Sequence, residues 1–129
     1  MKKTLTVFTP AYNRAYSIHL CYESLLRQTC KDFVWLVVDD GSEDETADLI
    51  KEWQKRDNGF EIKYVYKKNG GMRGVFAVML QTRADYFAVL CAVERNDSRI
   101  FFTAVFLPKR NDFFHRVVGH IIVRIYADV

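Results

Sequence analysis

The sequence predicts an α/β domain built on a mainly parallel sheet. Runs of β-branched and aromatic residues of strand length occur at 4–9, 33–38 and 60–66. Between them lie segments whose apolar residues recur at helical spacing. Strands alternating with helices in the order β-α-β-α-β are joined by crossovers, which makes them parallel with right-handed connections.

Residues 4–9 (TLTVFT) read as a buried strand that Pro10 stops, with residues 11–14 as a loop. Ile18, Tyr22, Leu25 and Leu26 fall at i, i+4, i+7 and i+8, one face of a helix over 15–29. Residues 33–38 (FVWLVV) form the second strand and run into Asp39-Asp40-Gly41-Ser42. Ser42 and Glu45 match a capping box, in which each side chain serves the other residue's amide. The acids there also suit the positive end of a helix dipole. That helix continues through Leu49, Ile50 and Trp53 to about 56, where Asp57-Asn58-Gly59 breaks it. Ile62, Tyr64 and Tyr66 share one face of the third strand, and Asn69-Gly70-Gly71 is a turn.

Beyond the turn the pattern weakens. Residues 72–82 could form a helix, since Val75, Val78 and Met79 share a face, though Gly74 and the β-branched and aromatic residues weaken that reading. Residues 86–93 read as a fourth strand. Segments 100–107 and 117–126 read as two more, antiparallel about a polar turn at 109–112. With no linker and no repeat, residues 1–129 are expected to form one domain.

Composition excludes several classes. Half the residues are apolar and 27% are charged, which builds a core and rules out general disorder. A net charge of +3 is too mild to imply nucleic acid, and a nucleic-acid reading would rest only on Lys109, Arg110, Arg116 and Arg124. The 3 cysteines, Cys21, Cys30 and Cys91, form no CxxC pair and read as reduced thiols of a cytoplasmic protein. No secretory signal opens the sequence, and no apolar run reaches the roughly 18 residues of a membrane span. The aromatic segment Phe101, Phe102, Phe106, Phe113 and Phe114 reads as core or interface. With Lys109, Arg110 and Arg116 it also offers a peripheral membrane contact at the inner face. His19, His115 and His120 have no metal-ligand spacing.

In an open parallel sheet, ligands bind beyond the carboxyl ends of the strands. Segments 9–14, 39–42 and 67–73 should meet at that edge. Asp39 and Asp40 repel each other and lose hydration unless something binds them. A base, a sugar or a cation would serve, or Asp40 simply caps the turn. Tyr12 offers a ring for stacking and Arg14 a partner for phosphate. Asn69-Gly70-Gly71 followed by Arg73 offers exposed amides, though neither nucleotide fingerprint is matched.

Taken together, residues 6–14 (TVFTPAYNR), 24–29 (SLLRQT), Phe33, 38–42 (VDDGS), Asp44 and Thr46 resemble the start of a family 2 glycosyltransferase. Asn69-Gly70-Gly71 falls at that family's Asn-x-Gly turn. The likeness covers about residues 4–71. It implies the GT-A fold, a Rossmann-like three-layer α/β/α arrangement, and transfer of a sugar from a nucleotide-sugar, UDP-linked, to a glycan or lipid-linked acceptor. By position, Pro10, Ala11 and Tyr12 would flank the base. Asp40, with Asp39 beside it and Gly41 in the turn, would bond base or ribose. Arg14 and Arg73 would lie near the donor.

The sequence departs from the family at one place that matters. The resemblance implies Mg2+ or Mn2+ on an Asp-x-Asp motif after the fourth strand. Here those positions hold Cys91-Ala92-Val93, and neither Cys91 nor Val93 is a hard-cation ligand. Glu94 and Asp97 stand at other spacings. The family's helix before that strand, with its Ala-Arg-Asn signature, is not matched at 72–82. The expectation is an incomplete GT-A-like domain, divergent after about residue 71 as in a truncated or frame-altered copy. An enzyme and a non-catalytic, nucleotide-binding or self-associating homodimeric module are the two readings.

Overall fold

A computed structural model describes residues 5–81, 86–90, 101–104, 107–108 and 123–126. The elements run β1 (Leu5–Ala11), α1 (Ile18–Leu26), β2 (Phe33–Asp39), α2 (Thr46–Gln54), β3 (Glu61–Tyr66), α3 (Met72–Gln81) and β4 (Tyr86–Val89). Three short strands follow: β5 (Phe101–Ala104), β6 (Leu107–Pro108) and β7 (Val123–Tyr126). The main sheet has the order β3-β2-β1-β4-β6. Its first four strands are parallel, and β6 adds antiparallel to β4. β5 and β7 pair antiparallel in a second, two-stranded sheet.

Period-two alternation divides the core between the two faces of the sheet. Val7 and Ala11 of β1 and Phe33, Trp35 and Val37 of β2 pack with Ile18, Tyr22 and Leu25 of α1 and Ile50 and Trp53 of α2. Phe8, Leu36 and Val38 turn the other way, onto Val75 and Met79 of α3. The result is the three-layer α/β/α arrangement. β2 lies between β1 and β3 and is buried along its whole length, which is why its sequence is almost wholly apolar. On the first face, the rings of Tyr22 and Trp53 stack 4.3 Å apart, and Trp35 lies 6.2 Å from Trp53. Asn58 closes this layer: it accepts from the Tyr22 hydroxyl and donates to the Trp53 carbonyl.

Several local expectations are corrected. Pro10 does not stop β1; it pairs with Val38 inside the strand. Phe8 accepts from Leu90 on the β4 side, so Pro10, two residues on, turns its ring nitrogen to that side too, where the described β4 ladder has ended. Leu90 still reaches the Phe8 carbonyl there, but with no N–H on Pro10 the ladder to β4 goes no further. The capping box does not form, and α2 starts only at Thr46. No side chain caps α2 at Glu45; Asp44, one residue earlier, accepts the Thr46 amide on its Oδ1 at 3.0 Å in a turn that leads into the helix. α1 is shorter than the pattern predicted, and Leu26 is exposed rather than on its buried face. The helix offered for 72–82 is present over 72–81, where burial of Val75 and Met79 outweighs the cost of Gly74. β4 and β7 are described over only part of the predicted 86–93 and 117–126. Residues 91–100 and 109–122, with His115 and His120, lie outside the described residues.

Candidate functional site

The first three parallel strands end together, in register from Ala11 through Asp39 to Tyr66. The Asp40 amide donates to the Ala11 carbonyl at 2.8 Å, and the Lys67 amide donates to the Asp39 carbonyl at 2.9 Å. These bonds draw the three following loops onto one edge.

The loop after β1 is laced to the loop after β2. The Asn13 amide donates to Ser42 Oγ at 2.8 Å, and Asn13 Oδ1 accepts from the Glu43 amide at 2.8 Å. Next along, the Arg14 amide donates to Thr46 Oγ1 and the Ala15 amide to Asp44 Oδ2, both at 3.1 Å. Asn13 takes a φ of 49°, a left-handed value that asparagine tolerates better than most residues. This lacing turns Tyr12 outward, with its ring about half exposed. Ser42 is therefore spent on joining loops, which is why it caps no helix. Burial pushes the Asp44 carboxyl up, but the Thr46 hydroxyl and the amides of Ala15 and Thr46 more than offset this and hold it below the usual range.

The adjacent acids have separate fates. Asp39 is fully buried, and both its oxygens are taken inside the protein. Oδ1 accepts from the Ser42 amide at 2.8 Å and Oδ2 from the Tyr64 hydroxyl at 2.5 Å. Burial and this bond to Asp39 push the Tyr64 phenol well above its ordinary value, so it stays a donor. Asp40 faces the third loop. Its Oδ1 accepts from Lys67 Nζ at 2.5 Å and from the Gly70 amide at 3.1 Å; its Oδ2 accepts from the Gly71 amide at 3.1 Å. The Lys67 ammonium is the main cause holding the Asp40 carboxyl below the usual range, with the two amides adding to it. Gly41, at φ +86°, makes room for the third loop.

Pro10, Ala11, Tyr12, Asp39, Asp40 and Gly41 thus lie on one edge, with Ala11, Asp39 and Asp40 buried. Arg14 is exposed, its guanidinium donating to the Tyr16 hydroxyl and lying 5.9 Å from that ring. Arg73 is exposed in the first turn of α3. Sequence reasoning placed Asn13, Ser42 and Lys67 in the segments that meet here without giving them a part in the site, and it passed over Tyr64. Two lysines directly after a strand end, facing twin acids, were the available signal for Lys67.

The fit of a divalent cation follows from the donor set. Among the described residues, no three His, Cys, Asp or Glu side chains come together as a cation site. Asp40 already meets an ammonium, and Asp39 has no free oxygen, so these residues do not fit Mg2+ or Mn2+. Cys91, Ala92, Val93, Glu94 and Asp97 lie outside the described residues.

Residues 6–91 match the sequence model of glycosyl transferase family 2. The chain belongs to glycosyl transferase family 2. It is 34% identical over 68 residues to the uncharacterized glycosyltransferase EpsJ of Bacillus subtilis, covering 53% of this chain and 19% of that protein. It is 39% identical over 71 residues to validoxylamine A glucosyltransferase of Streptomyces hygroscopicus, covering 54% of this chain and 16% of that enzyme. The chain thus spans under a fifth of the length of these curated family 2 relatives.

Solved structures agree on the fold. The mannosyltransferase PcManGT of Pyrobaculum calidifontis, in complex with GDP-Man and Mn2+, superposes with a TM-score of 0.63 at 19% identity, covering 70% of this chain and 28% of that one. TarS of S. aureus, in complex with UDP-GlcNAc, superposes with a TM-score of 0.59 at 23% identity, covering 70% of this chain and 26% of that one. The family 2 chain therefore has the α/β, Rossmann-like GT-A fold. Among the described residues, no helix is long and apolar enough to cross a membrane.

Proposed function

We propose that this chain holds the nucleoside end of a UDP-linked sugar donor, for transfer to a glycan or lipid-linked acceptor. The observation that carries the reading is the convergence of an exposed ring, Tyr12, and an ionised carboxylate, Asp40, on one strand-end edge. A ring just past a strand end offers a face on which a base stacks. A carboxylate accepts up to four hydrogen bonds, and three reach Asp40 from the described residues. The remaining lone pair, on Oδ2, suits a ring N–H. Uracil and guanine present one, whereas cytosine and adenine present a bare acceptor nitrogen at the matching position. The uridine form follows TarS, which shares the fold and is solved with UDP-GlcNAc and with UDP; PcManGT, solved with GDP-Man, shares the fold as well.

In this reading Pro10 and Ala11 form the floor beside Tyr12, and Gly41 shapes the turn that presents Asp40. Asp39 acts from beneath, by fixing that turn through Ser42 and Tyr64. Arg14 and Arg73 supply positive charge toward the diphosphate. The reaction moves a sugar from the diphosphate to an acceptor hydroxyl. The described residues bind and orient the nucleoside half, and no general base is assigned among them. The reading extends to a single domain and a cytoplasmic setting, the latter resting on the cysteine usage of the sequence.

The test is an amide NMR titration of the isotope-labelled chain with UDP and, separately, with CDP. UDP is expected to shift the amides of Tyr12, Asn13, Gly41, Gly70 and Gly71, and CDP to leave them nearly unmoved. Silence at these amides at millimolar UDP would overturn the reading.

A further inference from the structure

We propose that Lys67 is a positioning residue for the nucleoside contact at Asp40, and that Gly74 is the residue that lets it reach. This rests on the nucleoside-binding reading above and deepens it.

Lys67 follows β3 directly and is four-fifths buried, an unusual setting for a lysine. Its ammonium donates to Asp40 Oδ1 at 2.5 Å and to the Lys68 carbonyl at 2.9 Å. Asp40 also receives the amides of Gly70 and Gly71, both about 3.1 Å away. Lys67 therefore ties the carboxylate to the start of the third loop, and the two glycine amides tie it to the far end. With Oδ1 saturated, the unspent lone pair of Asp40 is on Oδ2, beside the Gly71 amide. Lys67 thereby fixes both the charge of Asp40 and the oxygen it offers.

Gly74 carries the second, independent observation. It sits in the first turn of α3 at an ordinary helical conformation, where alanine would be the better residue by intrinsic preference. A Cβ added there would lie 2.8 Å from Lys67 Cε and 2.9 Å from Lys67 Nζ. The clash is with the far end of a flexible side chain, so the fold absorbs it cheaply and Lys67 moves. What is lost is the ammonium's seat on Asp40. The glycine thus works against helix propensity and in favour of the ion pair.

The experiment measures UDP dissociation constants and melting temperatures for the full chain and for Lys67→Met, Lys67→Arg, Gly74→Ala and the double variant Lys67→Met/Gly74→Ala. Lys67→Met is expected to weaken UDP about tenfold, the worth of one charge-assisted bond. Lys67→Arg should recover part of that loss. Gly74→Ala should weaken UDP while leaving the melting temperature nearly unchanged, the gain in helix propensity offsetting the lost ion pair; lost binding without lost stability is what a purely structural role would not give. On the Lys67→Met background, Gly74→Ala should have no further effect on UDP, because its target is gone. Unchanged UDP affinity in Lys67→Met and Gly74→Ala would overturn the role of Lys67 and leave the nucleoside reading standing. Absence of UDP binding by the unmodified chain would overturn the nucleoside reading itself, and the inference with it.

Discussion

Gly41 lies directly beneath Asn69: a methyl group on Gly41 would come within 2.8 Å of the Asn69 backbone nitrogen. The φ of Gly41 is +86°, which L side chains rarely adopt. The loop after β3 can approach the loop after β2 only because this residue has no side chain. Gly41→Ala should cost roughly 2 kcal/mol from backbone strain alone. It should also push the Asn69–Gly71 loop away from Asp40. A urea unfolding curve and the amide positions of Gly70 and Gly71 check both effects. An unshifted midpoint would show that the two loops do not press on each other.

Tyr12 separates binding from folding. Its ring is about half exposed and caps no part of the core. Tyr12→Ala should therefore leave the melting temperature nearly unchanged, as surface substitutions do. It should weaken UDP by about tenfold, since base stacking on a ring is worth about 1–3 kcal/mol. Calorimetric titration of UDP decides it, and equal affinity in the variant would remove Tyr12 from the site.

Acid should loosen this edge in a defined window. Asp40 and Asp44 both have carboxyls held below 3.8 in the folded chain. The unfolded chain then takes up protons first as the pH falls. The stability these groups contribute is complete above the ordinary carboxylate value and drains away as the pH drops through their folded values. Asp40→Asn and Asp44→Asn should each flatten the acid limb of the stability profile. An acid limb identical to that of the unmodified chain would place the titrating groups elsewhere.

Tyr64 answers in the alkaline range. Its phenol is pushed well above 10, first by burial and then by its bond to Asp39. The unfolded chain would ionise first, so stability is full below about pH 10 and falls as the pH rises beyond it. Tyr64→Phe should abolish that contribution. It should also cost about 1–3 kcal/mol at neutral pH, because Asp39 Oδ2 loses the donor that satisfies it inside the protein. Phenolate absorbance followed with pH, alongside denaturant unfolding, reads both. A Tyr64 that ionises near its ordinary value would show the bond to be absent in solution.

The strands were legible because burial on both faces writes itself as an unbroken apolar run, most plainly in residues 33–38. Helix positions were legible from Ile18, Tyr22 and Leu25 and from Leu49, Ile50 and Trp53, whose spacing matches one face. Boundaries were not, because tertiary bonds decided them. Ser42 and Glu45 have the letters of a cap, yet Ser42 is taken by an amide from a loop far back in the sequence. Pro10 looks like a stop, yet β1 runs through it beside β2, and its missing N–H ends only the ladder to β4, just past Val89. At the candidate site, the convergence of the three loops followed from topology alone. The division of labour between Asp39 and Asp40 did not, since adjacent identical residues differ only in which neighbours their side chains meet. Lys67 and Tyr64, the neighbours that decide it, lie well over twenty residues away.

The chain has 2 tryptophans, and both belong to the ring stack on the α1 and α2 side of the sheet. Intrinsic fluorescence therefore watches a single layer. Loosening of α3 on the opposite side would leave that emission dark to the event, and a melting curve read by indole light would overstate how much of the molecule is still assembled. A probe placed on the Val75 and Met79 side is needed before any unfolding of this protein is described as one step.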